Sequence, residues 1–135
     1  LIIPQEIWHQ MTQRADTNYP DEVCGLLSGK EGWVTGHYPI TNQLHSEHLF
    51  FMNPGEMVRA MDLYETRGEE LLAIYHSHPN GKGELSKTDI QQDFYPGVVK
   101  FILSGEPGNW QGTAWQTSPA NPPKEVTWKM LSETN

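Results

Sequence analysis

Leu71-Leu72-Ala73-Ile74-Tyr75-His76-Ser77-His78-Pro79 begins as a continuous apolar run and ends on two histidines and a proline. A short unbroken apolar run suits a central strand covered on both faces, so this segment predicts the middle of a sheet with other elements packed above and below it. Residues two apart on a strand leave the same face with their roots about 6.5 to 7 Å apart. His76 and His78 are therefore expected to converge at the end of the most buried strand.

Working outward toward the N-terminus, Met57, Ala60-Met61 and Tyr64 recur at helical spacing and predict a helix from about Pro54 to Arg67, ended by Gly68. His48-Leu49-Phe50-Phe51-Met52 reads as a strand closed by Asn53-Pro54, and Thr41 to Glu47 as polar loop. The apolar run Val23 to Leu27, the turn chemistry of Ser28 to Gly32 and the following Trp33 to Ile40 predict a hairpin. Pro4 at a helix N1 position, with Ile7, Met11 and Arg14-Ala15 spaced behind it, predicts a first helix over roughly 4 to 18. Toward the C-terminus the sequence predicts a helix from Ser86 to about Phe94, a buried strand from Val98 to Leu103 and another from Gly112 to Gln116. A Pro-rich link, Ser118 to Pro123, leads to a last strand from Glu125 to Met130. Strands and helices mixed in this order, without repeats, give an α/β (α+β) class: a mixed β-sheet flanked by helices.

At 135 residues the chain is expected to form a single domain over 1–135. Nine Lys+Arg against seventeen Asp+Glu leave a net charge of −8, which opposes attraction to nucleic acid or to anionic membranes. Only 36% of residues are apolar, yet five Trp, five Tyr and four Phe each bury a large area, so a small aromatic-rich core is expected rather than disorder. A lone cysteine, Cys24, removes internal disulfides and multi-cysteine zinc sites and points to a reducing compartment. With no run near eighteen apolar residues and no basic, apolar signal sequence, the expectation is a cytoplasmic protein.

Asp89 follows His78 beyond a loop holding Pro79, Gly81 and Gly83, which has the slack to fold back over the strand end. Two histidines, one carboxylate and an open fourth position match the donor count of a hydrolytic zinc site. Ser86-Lys87-Thr88-Asp89 also fits a helix capping box, and the two readings are compatible because a capping serine can still present its hydroxyl to a cleft. Hydrolysis needs a proton carrier too, and spacing leaves Glu6, Asp21, Glu22, Glu31 and Glu47 all open.

Glu22-Val23-Cys24-Gly25-Leu26-Leu27-Ser28-Gly29, then His76-Ser77-His78-Pro79, seven residues from Pro79 to Leu85, Ser86, two more residues and Asp89 resemble the JAMM (MPN-plus) metalloprotease signature at every position. The resemblance runs from the first helix through the strand near Gly112 to Gln116 and leaves out the tail after Ser118. It implies a fold related to that of cytidine deaminases. It also implies a zinc-dependent peptidase or isopeptidase acting at the C-terminal tail of a ubiquitin-like protein. His76, His78 and Asp89 would bind Zn²⁺, Glu22 would act as general base and then acid, and Ser86 would donate to the oxyanion. Larger members of that family carry two insertions that grip ubiquitin and the acceptor lysine. Here Thr41 to Pro54 would serve as a short first insertion, and Gln91 to Gly97 leaves almost no second one. The chain is thus most similar to compact prokaryotic members that process sulfur-carrier proteins ending in Gly-Gly. The competing reading is a non-catalytic module of the same fold that binds a ubiquitin-like protein without cutting it. Such relatives have lost metal ligands, and this chain has lost none.

Other features point elsewhere more weakly. The triad of a mononuclear iron oxygenase has its residues in the wrong order for this chain, and the Pro-Cys-x-x-Cys of a zinc deaminase is missing. Gly81 to Thr88 is superficially like a phosphate loop, but Ser86 replaces the required glycine. Cys24 reads as core, and His45 and His48 as solvent-exposed loop residues.

Overall fold

Leu71 to Pro79 does run through the middle of a sheet. The structure, a computed structural model, describes residues 1–132. In chain order its elements are β1 (Ile2–Pro4), α1 (Gln5–Asn18), β2 (Cys24–Lys30), β3 (Trp33–Ile40), α2 (Pro54–Thr66), β4 (Glu70–Pro79), α3 (Lys87–Gln91), β5 (Val99–Glu106), β6 (Asn109–Ser118), β7 (Asn121–Val126) and β8 (Lys129–Leu131). The strands form one sheet in the order β7-β6-β5-β4-β2-β3-β1-β8. β4 runs antiparallel to β2, with Cys24 opposite His76, and parallel to β5, with His76 beside Ile102 and His78 beside Ser104. Two adjacent parallel strands cannot be joined by a tight turn. The β4–β5 crossover therefore carries α3 back past the C-terminal end of β4, and with it Asp89.

Alternation along the strands sorts side chains onto two cores. On one face Val23, Leu27, Ala73, Tyr75, Phe101 and Leu103 pack with Ile7, Met11 and Ala15 of α1. On the other, Cys24, Leu26, Ile40 and Ile74 pack with Ala60 and Tyr64 of α2. Asn53 caps α2 by accepting from the backbone N–H of Glu56 at 3.0 Å, and Gly68 ends the helical segment in a left-handed conformation at φ +70°. Among the described residues no helix is long and apolar enough to cross a membrane.

The structure corrects several boundaries. Residues 48–52 are not a strand: apart from an isolated bridge between Asn42 and Met52, the segment is loop, held by the Asn42 side chain, which donates to Leu49 O and accepts from the N–H groups of Leu44 and Phe51. Helix α3 is five residues long and stops at Gln91, short of Phe94. The Pro-rich link is largely strand, since β7 contains Pro122 and Pro123 and lies at the sheet edge, where missing N–H donors are tolerated. Glu125 to Met130 is not one strand but parts of β7 and β8, which lie on opposite edges of the sheet. Between them Trp128 stacks on Trp8 at 5.4 Å and meets Phe101 edge-on at 4.9 Å.

Candidate metal centre

The apolar run of β4 places His76 on the face shared with Ile74, and its ring, 2% exposed, stacks on Phe50 at 4.5 Å between centroids. His78 leaves the same face one pleat later. From the crossover, the capping box brings Asp89 to them: Ser86 Oγ accepts from Asp89 N–H at 3.0 Å, and Ser86 N–H donates to Asp89 Oδ2 at 2.9 Å. The Nε2 atoms of His76 and His78 stand 3.0 Å apart, and each is 3.1 Å from Asp89 Oδ2. The capping reading of Asp89 and its place beside the histidines thus hold together, on a single carboxylate oxygen.

These three atoms suit a cation better than one another. A carbonyl only accepts, so the 2.8 Å contact of His78 Nδ1 with Lys82 O puts the ring hydrogen on Nδ1 and leaves Nε2 of the neutral ring with its lone pair facing inward. Tetrahedral bonds of about 2.0 to 2.1 Å would separate donor atoms by about 3.3 Å, close to the observed triangle. His76, His78 and Asp89 fit a divalent ion in number, type and spacing. Burial holds His76 below the ordinary histidine value, and the nearby Asp89 carboxylate only partly offsets this. For Asp89 burial acts upward but is outweighed by the two imidazoles beside it and by the Ser86 N–H, so its carboxyl lies well below the usual range. His78 is also desolvated, yet Asp89 and the Lys82 carbonyl raise it overall.

Of the five candidate proton carriers only Glu22 is buried; Asp21 is half-buried and Glu6, Glu31 and Glu47 are exposed. Glu22 precedes β2, whose antiparallel register sets it beside the C-terminal end of β4, where Ser77 N–H donates to Val23 O. Its Oε1 has no hydrogen-bond partner among the described residues, and burial pushes its carboxyl up to about 8, opposed by His78 and supported by Asp89. The 41–53 loop holds its backbone: Glu22 N–H donates to Ser46 O at 2.8 Å, and Asn42 Nδ2 donates to Glu22 O at 3.1 Å.

A mainly apolar cavity of about 210 Å³ opens beside His76 and Asp89, walled by Phe50, Met52, Met57 and Phe94, with the Asp93–Lys100 ion pair at its border. Sequence reading missed Phe50 as a support for His76, Asn42 as an anchor for Glu22 and Lys82 O as the acceptor of His78. Phe50 read as a strand residue, Asn42 as ordinary loop, and a backbone carbonyl leaves no trace in side-chain type. Cys24 is buried, and burial pushes its thiol up to about 12, so it is core, as expected. His45 and His48 are exposed, the latter 3.4 Å from Glu47.

Comparison with known proteins adds a family to this geometry. The model of prokaryotic homologs of the JAB domain matches residues 4–118. The CysO-cysteine peptidase of Mycobacterium tuberculosis is 32% identical over 106 residues, covering 77% of this chain and 73% of the relative. The desampylase of Pyrococcus furiosus is 33% identical over 133 residues, covering 93% and 87%. Among solved structures, a JAB1/MPN domain protein of Archaeoglobus fulgidus superposes with a TM-score of 0.63 at 17% identity, over 97% of this chain and 99% of that one.

Proposed function

We propose, from the premise that this chain belongs to the family of prokaryotic homologs of the JAB domain, that it is a single-domain zinc peptidase or isopeptidase. Its substrate would be a ubiquitin-like or sulfur-carrier protein, cut after a C-terminal Gly-Gly. The observation that carries this reading is the pairing of an inward-facing His76–His78–Asp89 donor triangle with a buried carboxyl, Glu22, whose Oε1 lacks a hydrogen-bond partner among the described residues. A module that only bound its partner would have no use for either.

Zn²⁺ held by His76, His78 and Asp89 would lower the pKa of its water to about 7 and polarise the scissile carbonyl. The chain's own groups do the rest. Glu22 takes a proton from the attacking water and passes it to the leaving amine nitrogen, a task suited to a carboxyl whose burial raises its proton affinity. Ser86 Oγ spends a lone pair on the Asp89 N–H, which leaves its hydroxyl hydrogen for the oxyanion. Asp89 is held by the Ser86 N–H and His78 by the Lys82 carbonyl, so both are oriented before substrate arrives.

An extended Gly-Gly tail is thin enough to reach these groups as an added strand, and the short segment after α3 supplies little to grip the leaving side. The test is metal analysis of the purified protein alongside cleavage of sulfur-carrier-like fusions that vary one side of the bond at a time. The expected result is bound zinc, tolerance of varied leaving groups and strong loss when the second-last glycine becomes bulky. Equal cleavage of bulky-tailed fusions would point to a different peptide substrate.

A further inference from the structure

We infer that Thr113 and Trp115 of β6 are positioning residues for the metal ligand His78, acting through the glycine-rich loop between them. The inference rests on the reading of His78 as a ligand and extends it to a strand two places away in the sheet. Thr113 lies in the same cross-strand row as Ile102 and His76, and Trp115 in the row of Lys100 and Ile74. Both side chains therefore leave the sheet on the face that carries the ligands, while Ala114 between them turns into the α1 core.

There they close on one atom. Thr113 Oγ1 donates to Gly83 O, and Trp115 Nε1 donates to the same oxygen at 2.8 Å. The peptide unit just before Gly83 carries Lys82 O, the acceptor that keeps the ring hydrogen of His78 on Nδ1. Only glycine permits this approach, since a Cβ at position 83 would stand 2.8 Å from Thr113 Oγ1 and 2.9 Å from its Cγ2. Yet glycine also leaves the two peptide units free to turn relative to each other. The loop is tied at its start, where Asn80 N–H donates to Gly105 O at 2.6 Å, and at its end by the Ser86 cap. Two side-chain donors on Gly83 O remove the freedom that remains in the middle. Lys82 O is thereby held at His78, whose Nε2 lone pair stays aimed at Asp89 and His76.

The test uses the full chain and Zn²⁺ titrated against a chromogenic chelator. Thr113→Val with Trp115→Phe keeps both shapes and removes both donors. The expected result is a Zn²⁺ Kd raised by about 10-fold, at the low end for loss of an outer-shell partner. In the metal-free protein, nitrogen NMR should show His78 shifting from the Nδ1–H form to a mixture of tautomers. Thr113→Ser, which keeps the hydroxyl, should hold the wild-type Kd while Thr113→Val does not, and this pair decides the matter if the double variant fails to fold. A wild-type Kd and tautomer in the Val/Phe variant, whatever its melting temperature, would overturn the inference while leaving the zinc reading intact. Wild-type protein that binds no Zn²⁺ would overturn both.

Discussion

Tyr75 and His76 are buried neighbours on β4 that face opposite sides of the sheet, and each ends among polar groups. On the α1 side every group is matched. Tyr75 hydroxyl lies 2.7 Å from His37 Nε2 and accepts from Arg14 at 3.3 Å, while His37 Nδ1 lies 3.0 Å from Gln10 Oε1. Arg14 also donates to Cys24 O and to Ile40 O, and burial together with Arg14 brings His37 down to about 4, so its ring stays neutral. On the other side three lone-pair atoms face one another within 3.1 Å, and Glu22 Oε1 has no partner among the described residues. The two histidine clusters share a strand and a desolvated setting, so burial does not separate them. What separates them is polar satisfaction: a network that only supports the fold closes on itself, whereas a site built for a ligand keeps donor atoms turned toward a common point.

The most drastic way to break the contrast is to remove a corner of the triangle. Asp89→Ala should abolish zinc retention on dialysis and bring turnover to background, because two imidazoles remain where three donors stood. Undiminished zinc in elemental analysis would reduce Asp89 to its capping role. Next in size is Glu22→Gln, which should keep the metal and lower kcat by roughly 10² to 10⁴. The same variant tests the electrostatics of the metal-free chain. Because the folded-state pKa of Glu22 is raised to about 8 from 4.5, its contribution to stability is fully present below about 4.5 and is lost as pH rises through about 8. Urea unfolding at about pH 5 and about pH 9 should show the wild type losing ground to Glu22→Gln at the higher pH; parallel curves would mean that Glu22 titrates normally. Ser86→Ala should lower kcat by about 10² to 10³ if the hydroxyl serves the oxyanion. Full turnover with a lower melting temperature would leave only the cap.

Much of this was open to sequence reading because it rests on local pattern. The apolar run of β4, the spacing of His76 and His78, and Ser86-x-x-Asp89 are short-range signals, and geometry followed from pleat and capping chemistry. Glu22 was not separable from Glu6, Asp21, Glu31 and Glu47 by spacing, since its burial depends on pairing between β2 and β4, more than forty positions apart; the family resemblance chose it. Residues 48–52 misled because strand-like composition does not supply a partner strand, and Asn42 satisfies that backbone instead. β1 is three residues long, too short to carry a period, and it exists because β3 and β8 flank it in parallel register. The Pro-rich link hid β7 because prolines argue against a strand until its edge position is known.

The smallest expected effect comes from the closed side of the comparison and tests whether the two faces are independent. Tyr75→Phe removes one hydroxyl and leaves His37 Nε2 and the Arg14 guanidinium short of a partner in a half-buried place. That should cost about 1 to 3 kcal/mol of stability in urea unfolding. Arg14 keeps its two carbonyl acceptors and the strand keeps its register, so the backbone that carries His76 should not move. Zinc Kd and turnover per folded molecule should therefore match the wild type. If instead zinc binding weakened along with stability, the closed network would be holding the donor triangle in place through β4, and the line drawn between a supporting face and a working face would have to be withdrawn.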